Sequence, residues 1–288
     1  MKKEGALNLY LSHPTIAVLG RKSSGKTTVI EHLVPKLIRE GFSVATIKHI
    51  AHEGFSIDRE GSDTWRHSAS GANPVVSFSN WETSIIIKTL EKPLEKIIKI
   101  LVDLGANVLV LEGFSSVILK EKSVGKIVCV RSLEEYEEFK QRSMGEVIAF
   151  CSLHYLNEHI INLEADSAIL VVKALNFVRK RMKVIEILNS LPRLNCGRCG
   201  RKTCEELAED IYYGSAKNDD CIIMKVEPEL KTSLKIDGKN VPLQPFVSEF
   251  IRRTVLGMIS TLKNVDIKGD EKIHVEVFKS SGDSKVIG

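Results

Sequence analysis

Short apolar runs alternate with amphipathic stretches over the first 160 or so residues of the chain. The apolar runs predict strands at 15–19, 43–48, 74–78, 107–111, 126–130 and 147–151, and the segment 83–88 adds an edge strand or a hairpin. The amphipathic stretches predict helices at 26–39, 62–70 and 92–104. A run as continuous as 108–111 is typical of a parallel strand buried on both faces. The pattern therefore predicts an α/β domain with a mostly parallel sheet.

The pattern changes in the second half of the chain. A helix is predicted over 167–190, and a cysteine-rich segment begins directly after it. Alternating residues around Asp237-Gly238 predict a hairpin, a helix follows from Pro245, and a last strand is predicted through Ile273, Val275 and Val277. We expect three parts: a first domain at 13–165, a linking helix and cluster domain at 166–229, and a small α+β C-terminal unit at 230–288.

Composition narrows the class of protein without assigning a function. Hydrophobic residues make up 43% of the 288 residues and charged residues 27%, with no low-complexity tract, as in folded globular proteins. The net charge of +4 is too small to indicate nucleic-acid binding. The first residues lack an apolar core of signal-peptide length, and no later segment holds 18 apolar residues in a row. We therefore expect a cytoplasmic protein with neither nucleic acid nor a membrane as partner.

The strand at 15–19 leads into a glycine-containing loop of the kind that binds triphosphates. The candidate nucleotide-binding residues are Gly20, Arg21, Lys22, Ser23, Ser24, Gly25, Lys26, Thr27 and Thr28. In such a P-loop the backbone N–H groups cradle phosphates, the lysine neutralises the β and γ phosphates, and the Thr27 hydroxyl binds Mg²⁺. Glu112, after the apolar run, is the second candidate Mg²⁺ ligand, and Lys26 and Glu112 are the candidate catalytic residues. The first domain is thus predicted to be a three-layer P-loop NTPase domain.

A polar segment between the second and third predicted strands offers candidate contacts to substrate or cofactor. These candidates are Lys48, His49, Asp58, Asp63, Trp65 and Arg66. Composition alone assigns them no role. Ser62 is a candidate helix cap, and the pair His49 and His52 is open to two interpretations, as metal ligands or as solvated loop histidines.

These motifs together resemble the molybdopterin-guanine dinucleotide biosynthesis adaptor family, MobB. The residues that carry the resemblance are 20–28, 47–49, 58, 61–67, 69, 71–72 and 111–114, within a region of about 13–155. The resemblance implies a P-loop GTP-binding protein with weak GTPase activity, acting beside the guanylyltransferase that joins GMP to molybdopterin in molybdenum or tungsten cofactor synthesis. It also implies a homodimer. GTP rather than ATP is implied by the resemblance alone, because the chain has no Asn-Lys-x-Asp or Thr-Lys-x-Asp motif.

Four of the six cysteines, Cys196, Cys199, Cys204 and Cys221, fall within 26 residues. In a reducing compartment such a group favours metal over disulfides. The spacing fits a [4Fe-4S] cluster, with a Cys₄ zinc site as the alternative, although zinc cysteines usually come as two short-spaced pairs. The surrounding residues, over 188–222, resemble the [4Fe-4S] module of corrinoid iron–sulfur proteins and of Rnf-type electron-transport subunits. Cys129 and Cys151 lie in apolar runs and are predicted to be buried strand thiols.

Three hypotheses for the function follow. The first is a GTP-binding adaptor that uses Mg²⁺ and carries an added [4Fe-4S] cluster for redox, sensing or docking. The second is a nucleotide-dependent electron-transfer or metallocentre-maturation enzyme, but the signature lysine of those ATPases is replaced by Arg21. The third is a non-catalytic scaffold whose cluster only stabilises its own fold.

Overall fold

A computed structural model of the chain describes residues 12–52, 54–88, 93–226, 232–262 and 272–277. The described residues up to Asn189 form one compact unit, and those from Ser190 onward form a second. The strands of the first unit are β1 Thr15–Gly20, β2 Val44–Lys48, β3 Val75–Phe78, β4 Thr83–Ile86, β5 Val108–Glu112, β6 Gly125–Cys129, β7 Val147–Ser152 and β8 Ile160–Asn162. Six of them form a parallel sheet in the order β2-β5-β1-β6-β7-β8.

Helices cover both faces of this sheet. They are α1 Lys26–Arg39, α2 Asp63–Ala69, α3 Pro93–Asp103, α4 Ser115–Ile118, α5 Leu133–Arg142 and α6 Leu163–Ser190. One core cluster packs α1 and α6 against strand residues such as Ile16 and Val110. The other packs α3, α4 and α5 against strand residues such as Leu19 and Leu111 on the opposite face. Because consecutive strand side chains point to opposite faces, the apolar runs of the central strands fill both clusters. The predicted three-layer α/β architecture is therefore confirmed.

The strand predicted at 74–78 does not join the parallel sheet. The apolar run at 74–78 forms β3, but β3 pairs in antiparallel fashion with β4 as a separate hairpin. Only Val75 of this strand is buried, and the three residues after it are exposed. A strand that is exposed along most of its length cannot occupy the centre of a sheet covered on both faces. The segment 83–88 is thus a hairpin strand, one of its two predicted forms.

Three elements of the first unit were not predicted: the four-residue helix α4, helix α5 and strand β8. The sequence of α5 is dominated by charged residues, and Tyr136 and Phe139 are its only buried apolar side chains. Such a helix has too short an apolar stripe to show clear periodicity. Strand β8 has only three residues.

The second unit holds short elements. They are α7 Cys204–Tyr212, a 3₁₀ turn Asn218–Asp220, α8 Ile222–Val226, β9 Leu234–Ile236, β10 Lys239–Val241 and α9 Pro245–Ile259. Strands β9 and β10 are antiparallel and form the predicted hairpin around Asp237 and Gly238. The unit thus combines the cysteine segment with a small C-terminal group of helices and antiparallel strands.

The predicted last strand is wrong. Residues 272–277 are described, and they form neither a strand nor a helix. Alternation of apolar and polar residues favours a strand only where a neighbouring strand accepts its backbone hydrogen bonds, and no such pairing to 272–277 occurs within the described residues. Across the same described ranges, no helix is long and apolar enough to cross a membrane.

Candidate functional site

The P-loop connects the end of β1 to the start of α1 at the carboxyl edge of the sheet. Three of its residues have left-handed backbone: Gly20 at φ 139°, Ser23 at φ 59° and Gly25 at φ 94°. Gly25 occupies the N-cap position of α1, and no side chain caps the helix there. The first N–H groups of a helix lack intrahelical partners and favour an anion. The loop therefore offers the helix start to a phosphate.

Gly20 is fixed by the close approach of a neighbouring strand. The register of β1 and β6 places Gly20 opposite Cys129. A Cβ atom at Gly20 would lie 2.3 Å from the Cys129 carbonyl oxygen and 2.6 Å from Ser24 Oγ. The contact with the carbonyl oxygen cannot be relieved without moving the backbone. The first glycine of the loop is thus required by the sheet as well as by the curl of the loop.

The basic side chains of the loop contact the protein itself. Lys26 Nζ donates to the Arg21 carbonyl oxygen at 2.5 Å. The Arg21 guanidinium turns to α5, where it lies 2.6 Å from Glu138 Oε2 and 3.7 Å from Glu135 Oε1. Glu135 is buried, and the hydrogen bond from Arg131 is the main cause that lowers the pKa of its carboxyl. Sequence reasoning missed these carboxylates, because nothing local connects α5 to a loop more than 110 residues earlier.

Glu112 lies at the end of β5, between β1 and β2. The register pairs it with Val18 of β1 and with Lys48 of β2. Its carboxylate is largely buried, and Lys48 Nζ lies 3.0 Å from Glu112 Oε1. Thr27 is exposed in the first turn of α1. Both predicted Mg²⁺ ligands therefore follow neighbouring parallel strands at the same edge of the sheet.

The segment after β2 contacts the segment after β5 through a backbone hydrogen bond and a ring contact. The His49 N–H donates to the Glu112 carbonyl oxygen at 2.9 Å, and the centre of the His49 ring lies 4.9 Å from that of Phe114. Gly113, at φ 90°, packs so that a Cβ would lie 3.3 Å from His49 Cβ. Of the predicted contacts in the polar segment, Lys48 and His49 are thus the two that reach Glu112 and its neighbours.

The other polar candidates form a local group around the short helix α2. Asp58 Oδ1 accepts hydrogen bonds from Ser62 Oγ at 2.9 Å and Thr64 Oγ1 at 2.8 Å, and the Thr64 bond is the main cause that lowers the pKa of Asp58. Ser62 caps α2 by accepting from the Trp65 N–H at 3.2 Å, so the predicted cap is confirmed. Asp63 and Arg66 form an exposed ion pair at 3.7 Å.

The four clustered cysteines lie in the second unit. Cys204 and Cys221 are buried, Cys196 and Cys199 are partly exposed, and all four are free thiols. Cys204 is the first residue of α7, whose N-cap Thr203 accepts from the Glu206 N–H at 3.1 Å. Burial raises the pKa of the Cys204 thiol.

The donor set of this group is four cysteine thiols. Among the described residues, no three His, Cys, Asp or Glu side chains are grouped so as to hold one metal ion. A zinc site needs sulfurs about 2.3 Å from one centre, whereas a [4Fe-4S] cluster takes four cysteine thiolates around its own several atoms. The four clustered cysteines match the cluster's ligand set in number and type.

Comparison with known proteins gives two family matches. Residues 15–153 match the family model described as "Molybdopterin guanine dinucleotide synthesis protein B". Residues 191–223 match the model described as "Putative Fe-S cluster". The two matched regions contain the P-loop with Glu112 and the four clustered cysteines, respectively.

Individual proteins resemble the chain over different lengths. A Methanocaldococcus jannaschii protein described as "Putative molybdopterin-guanine dinucleotide biosynthesis adapter protein" is 30% identical over 264 residues, which is 92% of the chain and 98% of that protein. The molybdopterin-guanine dinucleotide biosynthesis adapter protein of Haemophilus influenzae is 36% identical over 76 residues, 26% of the chain and 42% of that protein. The crystal structure of Bacillus subtilis MobB is 26% identical to the chain, with a TM-score of 0.46. The match covers 57% of the chain and 97% of that structure.

Proposed function

The chain belongs to the molybdopterin guanine dinucleotide synthesis protein B family, and from that premise we propose that it is a GTP-binding adapter in molybdenum or tungsten cofactor biosynthesis. It assists the attachment of GMP to molybdopterin and carries a [4Fe-4S] cluster with a redox, sensing or docking role. The observation that carries the proposal is the placement of the P-loop after β1 beside Glu112 at the end of the adjacent β5. At most, the chain is a weak GTPase.

The P-loop residues act on the phosphates. Residues 20–27 present backbone N–H groups and the start of α1 to the β and γ phosphates. Lys26 exchanges the neutral Arg21 carbonyl for a phosphate oxygen, and the charge-assisted contact is the stronger of the two. Arg21 is bound to Glu138 and remains beside the loop.

Thr27 and Glu112 are the residues that would hold Mg²⁺, through the Thr27 hydroxyl and the Glu112 carboxylate. The ion would neutralise charge on the nucleotide phosphates. For Glu112 to act in this way, the Lys48 ammonium must move away from the carboxylate, and Lys48 is the more exposed partner of the pair.

Nucleotide choice tests the first part of the proposal. GTP and ATP affinities are measured side by side by calorimetry at saturating Mg²⁺, with wild type, Lys26→Ala and a control, Lys36→Ala, on the same helix but in its last turn. We expect GTP binding that is lost in Lys26→Ala and kept in Lys36→Ala. A strong ATP preference without GTP binding contradicts the proposal.

The four clustered cysteines hold the [4Fe-4S] cluster. Cys196, Cys199, Cys204 and Cys221 supply four thiolates, which is the full ligand set of such a cluster. Anaerobically purified protein is expected to be coloured and to contain iron and sulfide. We expect Cys196→Ser to lose the colour, the iron and the sulfide, and Cys129→Ala to keep all three. A colourless zinc protein contradicts this part and leaves GTP binding untouched.

The proposed partners are molybdopterin or its guanylyltransferase, together with a second copy of the chain. Light scattering of the full chain measures the oligomeric state, for which a homodimer is expected. Titration of purified guanylyltransferase with and without GTP measures the adapter role. Failure of the guanylyltransferase to bind in either condition contradicts the adapter role.

A further inference from the structure

Arg201 joins the loop of Cys196 and Cys199 to the helix that begins at Cys204. Its Nη1 donates to the Cys199 carbonyl oxygen at 3.2 Å, and its Nε donates to Asp210 Oδ2 at 2.8 Å. Asp210 belongs to α7, the helix whose first residue is Cys204. The Arg201 side chain is only 23% exposed. The guanidinium is therefore held between two parts of the cysteine set.

A second, uncharged contact also joins the loop that holds Cys196 to the helix that begins at Cys204. The Cys204 N–H donates to Asn195 Oδ1 at 2.8 Å, and Asn195 has a left-handed backbone at φ 46°. The side chains of Asn195 and Arg201 thus bind Cys204 and Cys199 through backbone atoms and leave the sulfurs free for other contacts. Of these two bridges, Arg201 is the one that brings a full charge.

The charge of Arg201 is permanent, because a guanidinium is not deprotonated in proteins. Its ion-pair partner is Asp210, whose Oδ2 lies 2.8 Å from Arg201 Nε. Arg198, in the same loop, is exposed to solvent. A half-buried charge is screened less by water and salt than an exposed one.

We propose that Arg201 is a positioning residue of the cluster site and that its charge, balanced by Asp210, tunes the reduction potential of the group held by the four cysteines. The inference rests on the [4Fe-4S] cluster proposed above. One-electron reduction adds a negative charge to the bound group, so a nearby cation favours the reduced form and a nearby carboxylate disfavours it. The two partners are therefore expected to act with opposite sign.

The test uses the full-length protein and the variants Arg201→Gln, Arg201→Lys and Asp210→Asn. Arg198→Gln is the matched control, since it removes the same charge from an exposed position in the same loop. Iron and sulfide are measured first in every protein. Midpoint potentials are then measured by titration with dithionite as the electron donor, followed by electron paramagnetic resonance.

We expect Arg201→Gln to shift the midpoint to lower potential and Asp210→Asn to shift it to higher potential. Each shift should be at least threefold in the ratio of reduced to oxidised cluster at fixed potential, where tenfold corresponds to about 59 mV for one electron. Arg201→Lys should stay nearer to wild type than Arg201→Gln does, and Arg198→Gln should shift less than either charge-removing variant.

Each other result overturns a different statement. Shifts of the same sign in Arg201→Gln and Asp210→Asn, or shifts no larger than that of Arg198→Gln, overturn the role of Arg201. If Arg201→Gln cannot be loaded with iron, the midpoint potential of Asp210→Asn alone tests the proposal. A potential of Asp210→Asn equal to that of wild type then overturns the proposed tuning. Absence of iron and sulfide from the wild-type protein instead overturns the proposed cluster.

Discussion

Lys48 and Glu112 lie directly opposite each other at the ends of neighbouring parallel strands, with Lys48 Nζ 3.0 Å from Glu112 Oε1. The lysine side chain is 57% exposed, whereas the glutamate side chain is 11% exposed. The carboxylate is thus largely shielded by the sheet, and its cation is the partner that faces solvent. Any metal ion that binds Glu112 has to compete with Lys48 for the same oxygen atoms.

Removal of this competing cation should ease Mg²⁺ binding. We expect Lys48→Met to lower the Mg²⁺ concentration that half-saturates GTP binding by about two- to fivefold, because an ion pair whose cation is exposed to solvent contributes only about 1 kcal/mol. The measurement is fluorescent GTP-analogue binding at increasing Mg²⁺, with Lys36→Met as the control. A higher Mg²⁺ requirement in Lys48→Met means that Lys48 contacts the phosphates and does not block the metal ligand.

The close packing of Gly20 predicts a steric cost that a comparable glycine does not have. Gly20 and Gly41 both have positive φ, but a Cβ at Gly20 meets the Cys129 carbonyl oxygen and a Cβ at Gly41 meets nothing within 4 Å. We expect Gly20→Ala to lower the free energy of unfolding by about 2–4 kcal/mol and Gly41→Ala by about 1 kcal/mol. Urea denaturation measures both, and equal losses contradict the packing argument.

The six cysteines should divide by reactivity in the metal-free protein. Cys129 and Cys151 are fully buried with their sulfurs 3.6 Å apart, and the hydrogen bond between these thiols, together with burial, raises the pKa of Cys151. Thiolates are the reactive form. We expect iodoacetamide to modify Cys196 and Cys199 more than about tenfold faster than the buried strand pair, as followed by mass spectrometry. Comparable rates in native protein would show that the strand pair is accessible, while unfolding in urea should make all six react alike.

Lys126 should make stability depend on pH in the alkaline range. It is fully buried in β6 and donates to the Val124 carbonyl oxygen at 2.9 Å, and burial lowers its pKa from 10.5 to about 8. Between these two values the unfolded chain binds more protons than the folded one. Stability from this group therefore rises with pH from about 8 to 10.5, by at most about 1.4 kcal/mol for each pH unit.

A comparison with Lys126→Met isolates that effect from other titrating groups. The free energy of unfolding of both proteins is measured in urea from pH 7.5 to pH 10. We expect the difference between wild type and variant to move in favour of wild type as the pH rises. A difference that is independent of pH would mean that Lys126 titrates alike in the folded and unfolded states.

Local patterns predicted the main elements well where apolar periodicity was strong. The helix predicted at 26–39 is Lys26–Arg39, and the strand predicted at 126–130 is Gly125–Cys129. Periodicity failed for α5, where charged residues conceal the buried Tyr136 and Phe139. It also failed at 272–277, where alternation is present without a paired strand. The first error comes from an apolar stripe too short to show periodicity. The second arises because a pattern reports what a segment can bury and not what lies beside it.

The P-loop and the four clustered cysteines could be recognised without the structure, because both are local patterns of residue type and spacing. The sequence could not predict which distant groups contact them. The order of the strands placed Lys48 on Glu112, and the packing of α5 placed Glu138 on Arg21. Contacts between residues 64 and 117 positions apart depend on how the elements pack, since no local interaction brings such residues together.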